Sequence, residues 1–356
     1  MPSSTSSFER TIPARPWRGM AVAATLLTLA ATVAWELACR RAGYGPTLDD
    51  TSDLWAERRS AVQPDSLVII GDSRALFDLD LDQMEAALGR RPIQLGLVGS
   101  CAYPVLDALA SDPTFRGTVV CSLVPAMFLV PAGPPIDNSN RALQRHRNWT
   151  WAQRSGHHLG MLLDERLAFI NQDDLKLEML LKRLPIPNRP EAQVGPKLPP
   201  YFSTLDRERR TWMLDSVTKP GPFQDRIKHG WIPLFTPPPP PAYVPKEAFL
   251  ASVGQAIEQR FKDTAAAVEK LRARGGKVVF LRLPVTGDLK VLEDRATPKA
   301  GPWTRFLAET RAPGIYFEDH PELASFECPE WSHLSGPDSV EFTKRLMPHL
   351  RAAIGP

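Results

Sequence analysis

The sequence is poor in the residues that bind metals. Its 356 residues include four cysteines and seven histidines. Cys39, Cys101, Cys121 and Cys328 are widely separated and match no zinc spacing, and no His-x-x-x-His pair occurs. No metal and no cofactor is expected. A charge excess of either sign is also lacking, with 43 Lys and Arg against 40 Asp and Glu. Arg10, Arg15, Arg18, Arg40 and Arg41, set against Glu9 and Glu36, place the whole net charge of +3 within residues 1–41. The balanced remainder shows no basic footprint for nucleic acid. No internal repeat is visible.

Proline is abundant instead, 36 residues or about twice the usual share of roughly 5%. Many lie between Pro185 and Pro245, and Pro237–Pro241 should be a stiff polyproline II segment. The second feature present is one long apolar run, Gly19–Cys39. At 1.5 Å per helical residue it matches a hydrocarbon core of ~30 Å. Arg10, Arg15 and Arg18 precede it and predict a cytoplasmic N-terminus over residues 1–18. A cleaved signal peptide and a lipoprotein signal ending at Cys39 are the alternatives. The run is long, no small-x-small site follows it, and Glu36 and Arg40–Arg41 flank the cysteine unsuitably. An uncleaved single-pass anchor over 19–39 is expected, followed by a polar stalk over 40–64 and a domain over 65–356. The reading is a bacterial inner-membrane protein with that domain outside the cytoplasm.

Beyond the stalk, short β-branched runs alternate with helical spacing. Strands are expected at Ser66–Ile70, Ile93–Val98, Thr118–Leu123, Lys277–Leu283 and Gly314–Glu318. Helices are expected near Asp80–Leu88, Pro104–Leu109, Lys246–Arg274 and Pro337–Ala353. Such alternation predicts an α/β three-layer sandwich with a five-stranded parallel sheet, flavodoxin-like with order 2-1-3-4-5. Sites in this architecture form at the carboxyl ends of the strands. Regular order is lost over about 130–245, an insertion or cap carrying Trp149, Trp151, Tyr201, Phe202, Trp212 and Trp231. It is either a loosely packed extension or a cap presenting aromatics to sugar rings.

Three motifs carry chemistry. Gly71-Asp72-Ser73-Arg74 follows the first strand and would hold a serine hydroxyl on a tight turn at the crevice. Gly96-Leu97-Val98-Gly99 closes the second strand. Glu330-Trp331-Ser332-His333 follows the fifth strand and puts an imidazole at the same edge, with a carboxylate three residues earlier to fix its tautomer. Each motif alone reads as an ordinary turn or helix start. All three occur in the right order on the right strands, and jointly they point to nucleophilic acyl transfer.

GDSR, QLGLVG and EWSHLSGPDSVEFT resemble the blocks of the SGNH/GDSL hydrolase superfamily over about residues 65–125 and 245–354. The resemblance implies Ser73 as nucleophile, His333 as base, and backbone N–H groups of Ser73 and Gly99 as oxyanion donors. Two departures stand out. The family's Asp-x-x-His is Glu330-x-x-His333 here, and the Gly-x-Asn-Asp block is missing, the third strand ending Ser122-Leu-Val-Pro-Ala126. Arg74 or Arg282 would then be the groups able to compensate for the missing donor, or both are structural; Asp72 is a further support candidate. These departures and the anchor are similar to the SGNH-like proteins that work beside membrane-bound O-acyltransferases, such as alginate O-acetyltransferases and the teichoic acid D-alanyl transfer protein. That branch implies transfer of an acyl group, acetyl in the first instance, to a cell-surface polysaccharide, with a membrane-bound O-acyltransferase as partner. Ester hydrolysis and a non-catalytic glycan-binding or scaffold role are the alternatives. Cys101 and Cys328 flank the second and third motifs, so they either form a bridge between two site loops or stay buried free thiols.

Overall fold

The computed structural model describes residues 16–170, 175, 181, 202–236 and 243–355. Among the described residues there are seven strands: β1 (Leu67–Ile70), β2 (Ile93–Gln94), β3 (Thr118–Ser122), β4 (Ser203–Leu205), β5 (Thr211–Met213), β6 (Lys277–Arg282) and β7 (Gly314–Tyr316). Five of them make one parallel sheet in the order β2-β1-β3-β6-β7. In chain numbering this differs from 2-1-3-4-5. The reason is that the insertion supplies β4 and β5, which pair only with each other as an antiparallel hairpin. In the sheet Ile70 lies beside Cys121, Cys121 beside Phe280, and Leu281 beside Ile315.

The strands at the centre of the sheet are buried because both faces are covered, and their middle residues are apolar. Every residue of β1 and β3 is buried. Helix Lys246–Arg272 packs on helix Tyr103–Ser111, and helix Gly336–Ile354 on helix Leu81–Leu88. In the long helix Phe261, Thr264, Ala267, Val268 and Leu271 are buried, a three-and-four spacing that makes one stripe. Its first turns stay outside the core. Helix Leu81–Leu88 starts where Asp80 accepts from the Gln83 amide and stops at Gly89, whose φ is 69°.

Two expectations need correction. The stretch 40–64 is not a free stalk. Helix Ser52–Ser60 lies within it, capped by the Thr51 side chain, and Leu54, Trp55 and Ala56 are buried. Trp55 Nε1 donates to Leu95 O at 3.0 Å, which ties this helix to the end of β2. The insertion, where order was expected to be lost, contains helices Pro134–Arg147, Trp151–Asp164 and Pro222–Phe235 as well as the β4–β5 hairpin. Prolines hid two of them, since proline is tolerated in a first helical turn, as at Pro134 and Pro222. The polyproline run Pro237–Pro241 and Tyr201 lie outside the described residues.

Among the described residues one helix, Trp17–Arg41, is long and apolar enough to cross a membrane, with mean hydropathy 1.7 over its most apolar window. The hydroxyls of Thr25, Thr28 and Thr32 each donate to the carbonyl four residues earlier at 2.9 Å, so their polar groups are satisfied within the helix.

Candidate active site

The first strand runs into Gly71, whose φ is 149°. A Cβ there would stand 2.7 Å from Ser122 Cβ and 3.0 Å from Ser122 O, so the turn needs glycine for conformation and for space. The chain then enters helix Ser73–Phe77 with Asp72 as its N-cap. Asp72 Oδ1 accepts from Arg74 N at 2.9 Å and Oδ2 from Val124 N at 3.1 Å. One carboxylate therefore clamps the serine turn to the segment after β3. Burial pushes the Asp72 carboxyl up, and the Arg74 guanidinium opposes that shift.

Ser73 is half-buried at the helix start. His333 Nε2 stands 2.8 Å from Ser73 Oγ, and His333 Nδ1 stands 2.9 Å from Glu330 Oε1. Glu330 and His333 are both 0% exposed. Glu330 Oε1 also accepts from the His333 amide at 2.6 Å and the Ser332 amide at 3.3 Å. Its other oxygen accepts from Trp231 Nε1 at 2.5 Å, and Trp231 Nε1 also reaches Glu330 O at 2.9 Å. The carboxylate is thus the hub of the 330–333 loop. With Glu330 accepting from Nδ1–H, Nε2 is left as the lone-pair nitrogen facing the hydroxyl, the arrangement needed to take its proton.

The loop itself is held in an uncommon backbone shape. Trp331 has φ 80°, rare for a bulky residue. Its amide donates to Cys328 O and its carbonyl accepts from Thr286 N, both at 2.9 Å. Its indole lies where a side chain at Gly287 would be, 2.3 Å from a Cβ placed there. Leu334 N then donates to Asp78 Oδ1 at 2.9 Å. Aromatic rings enclose the imidazole: Phe77 at 4.4 Å between centroids, Phe202 at 5.7 Å and Trp231 at 5.7 Å.

The Gly96–Gly99 motif borders the same turn. Leu97 N donates to Gly71 O at 3.0 Å, and Ser100 Oγ to Leu97 O at 2.8 Å. Gly99 has φ 59°, and its carbonyl accepts from Asn138 Nδ2 at 3.0 Å. The insertion helix Pro134–Arg147 therefore holds this loop.

Arg74 and Arg282 take a different role from the compensating one considered for them. Both are buried and converge on Glu293: Arg74 Nη2 to Oε1 at 2.5 Å, Arg282 Nη2 to Oε2 at 3.6 Å. Arg74 Nε also reaches Ser332 Oγ at 3.5 Å. Burial disfavours the Arg74 charge, but Glu293 outweighs it and holds Arg74 above its ordinary value. Burial pulls Arg282 down, with Glu293 opposing. These guanidinium groups are committed to structure beneath the loop.

The Cys101–Cys328 bridge is absent: both are free and buried. Cys101 Sγ faces Phe128 O at 3.5 Å. Burial pushes the Cys101 thiol up to about 11 and Cys328 well above its ordinary value, so both favour the unreactive thiol. The cap aromatics also need correction. Trp149, Phe202 and Trp231 are buried, and Trp231 and Phe202 pack on His333 rather than facing outward. Two groups among the described residues have metal-ligating side chains close together, Glu57–His157–His158 and His320–Glu322–His349. Neither includes a residue of the Ser73 line, and Glu57 is already paired with His157 at 2.7 Å and Arg207 at 3.3 Å.

Sequence reasoning missed Glu293, Asp78 and Phe77, and misassigned Trp231 and Phe202. For Glu293, two arginines at the ends of buried elements require an anion, but nothing in the sequence says which carboxylate supplies it. For Trp231 there was no signal, since its contact with Glu330 spans 99 residues of chain.

Compared with protein-family models, curated proteins and solved structures, the chain matches none.

Proposed function

We propose that this chain is a serine acyl-transfer enzyme of SGNH type with a flavodoxin-like three-layer fold. The observation that carries the reading is the unbroken line from Ser73 Oγ through His333 to Glu330, at 2.8 and 2.9 Å, closed off from solvent at His333 and Glu330. It stands at the carboxyl end of β1 and in the loop after β7, the edge where this architecture builds its sites. With the insertion hairpin set aside, the five sheet strands stand second, first, third, fourth, fifth, which supports the flavodoxin-like reading.

More narrowly, the chain transfers an acyl group, acetyl in the first instance, to a hydroxyl of an exported polysaccharide, beside a membrane-bound O-acyltransferase. The apolar N-terminal helix and the resemblance of the three motifs support that reading, with the domain on the extracytoplasmic side of the inner membrane. His333 Nε2 takes the Ser73 proton as Oγ attacks the donor carbonyl, and the donor's leaving group departs with that proton. The amides of Ser73 and Gly99 receive the oxyanion, and Asn138 holds the Gly99 loop in place. A sugar hydroxyl then gives its proton to His333, attacks the acyl-serine, and releases Ser73 as its hydroxyl.

The test is a fluorophosphonate probe applied to the full chain in membranes. Peptide mass mapping should place the adduct on Ser73, with none in a folded Ser73→Ala chain. Absence of an adduct in the parent overturns the reading. Acyl turnover that rises with added polysaccharide supports transfer, whereas turnover indifferent to it leaves hydrolysis and removes the narrower reading.

A further inference from the structure

Helix Trp151–Asp164 has its faces reversed relative to an ordinary surface helix. Its inward side is mostly polar, with Met161 the apolar residue buried there. His157 Nε2 meets Glu57 at 2.7 Å, and the Arg154 guanidinium lies 4.9 Å from the Trp149 ring centroid. The outward side carries Trp151, Leu159, Leu162 and Leu163, exposed by 82, 66, 50 and 55%. Ala152, Ser155 and Gly156 stand among them, and the exposed His158 and the Arg154 guanidinium, 5.7 Å from the Trp151 ring centroid, border the stripe at its Trp151 edge. At 100° per residue these positions form one continuous stripe. A contiguous apolar stripe turned outward marks an interaction surface.

The position of the stripe says what covers it. Immediately after this helix the chain reaches the end of the apolar helix Trp17–Arg41. Arg40 Nη2 donates to Arg166 O at 2.8 Å. The Glu36 carboxylate accepts from Ala168 N at 2.8 and 3.1 Å. The outward leucines are therefore tied to the last two turns of the helix that emerges from the bilayer. Arg40, Arg41 and Arg166 stand at that junction, the chemistry that suits lipid phosphates.

We propose that helix Trp151–Asp164 lies in the bilayer surface on the side of the folded domain, with its Trp151–Leu159–Leu162–Leu163 face at the headgroup–acyl boundary. The proposal rests on Trp17–Arg41 being a membrane anchor, and its partner is the lipid itself. Helix length, an apolar face bordered by basic side chains and a tryptophan at one end fit an interfacial helix. Two points of attachment, one spanning and one lying flat, would fix the tilt of the domain and so the height of Ser73 above the membrane.

The experiment uses the full chain in nanodiscs of phosphatidylethanolamine and phosphatidylglycerol. Nitroxide labels are introduced singly through Leu27→Cys, Leu159→Cys, Leu163→Cys and, on a remote exposed helix, Glu269→Cys; the native cysteines are buried. Collisions with dissolved oxygen report lipid and collisions with a nickel chelate report water. Labels at 27, 159 and 163 should lose nickel collisions and keep oxygen collisions, while that at 269 keeps both. If 27 lies in lipid but 159 and 163 match 269, the proposal fails and the anchor stands. Labels at 159 and 163 shielded from both probes would mean that protein covers the face, which also overturns it. If 27 itself is in water, the anchor reading and the proposal fall together.

Discussion

Glu330 takes a donor on each of its oxygens. Oε1 serves two amides and the imidazole, and Oε2 serves the Trp231 indole. An amide in its place turns one of these contacts into donor against donor. Glu330→Gln should lower kcat by up to about 10⁴-fold in a chain that still folds, because the wrong imidazole tautomer is favoured; steady-state rates with circular dichroism on the same sample check it. Asp78 behaves differently. It is fully buried, and burial pushes its carboxyl well above the ordinary value of 3.8. The folded chain therefore holds the proton that the unfolded chain releases. That contribution to stability is complete below the ordinary value and is lost as pH rises toward the folded one. Asp78→Asn keeps an acceptor for the Leu334 amide and removes the titration. Its thermal midpoint should exceed the parent's at pH 7, with the gain vanishing near pH 4. Ser73, Asp72, His333 and Glu330 were legible in the sequence because each sits in a short motif at the end of an element. Glu293 was not, since an ordinary helix carries it and only the folded sheet brings two arginines to it.

Helix Pro222–Phe235 belongs to the insertion, yet it supplies the indole that holds the carboxylate of the 330–333 loop. Trp231→Phe keeps a ring against His333 and removes the N–H. One hydrogen bond to a charged acceptor is worth about 1.5–3 kcal/mol. The variant should therefore lose about 10- to 100-fold in kcat with KM little changed, and a variant with parental kcat would show that the indole only fills space. β1, β3, β6 and the long helix were readable because their apolar runs are sustained; β2 and β7, at Ile93–Gln94 and Gly314–Tyr316, are shorter than the strands expected over Ile93–Val98 and Gly314–Glu318. The insertion was not readable, because two of its helices start at prolines and Trp151–Asp164 puts mostly polar residues toward the protein. The stretch 40–64 looked like a stalk for another reason: helix Ser52–Ser60 is mostly polar, and its burial turns on Leu54, Trp55 and Ala56 alone.

At the scale of the whole molecule the folded body begins earlier than residue 65. Leu48 N donates to Leu205 O at 3.0 Å, and Leu205 N to Thr47 Oγ1 at 2.9 Å. Asp50 meets the fully buried Arg209 at 2.6 Å. A chain starting at Gly45 should unfold cooperatively near the parental urea midpoint. A chain starting at Asp65 loses Trp55, and truncating a buried tryptophan costs about 3–5 kcal/mol, a large part of an ordinary domain's 5–15 kcal/mol. It should be aggregated or open to protease at room temperature. The three buried thiols of the domain, Cys101, Cys121 and Cys328, bear on its lifetime. Each is silent while the fold is closed, and burial holds each in the protonated form. Every opening frees three reactive sulfurs at once. In the extracytoplasmic setting proposed above, a wrong cross-link made during one such opening would latch the chain open. Survival there is then governed by how seldom the fold opens rather than by how far its equilibrium favours closure.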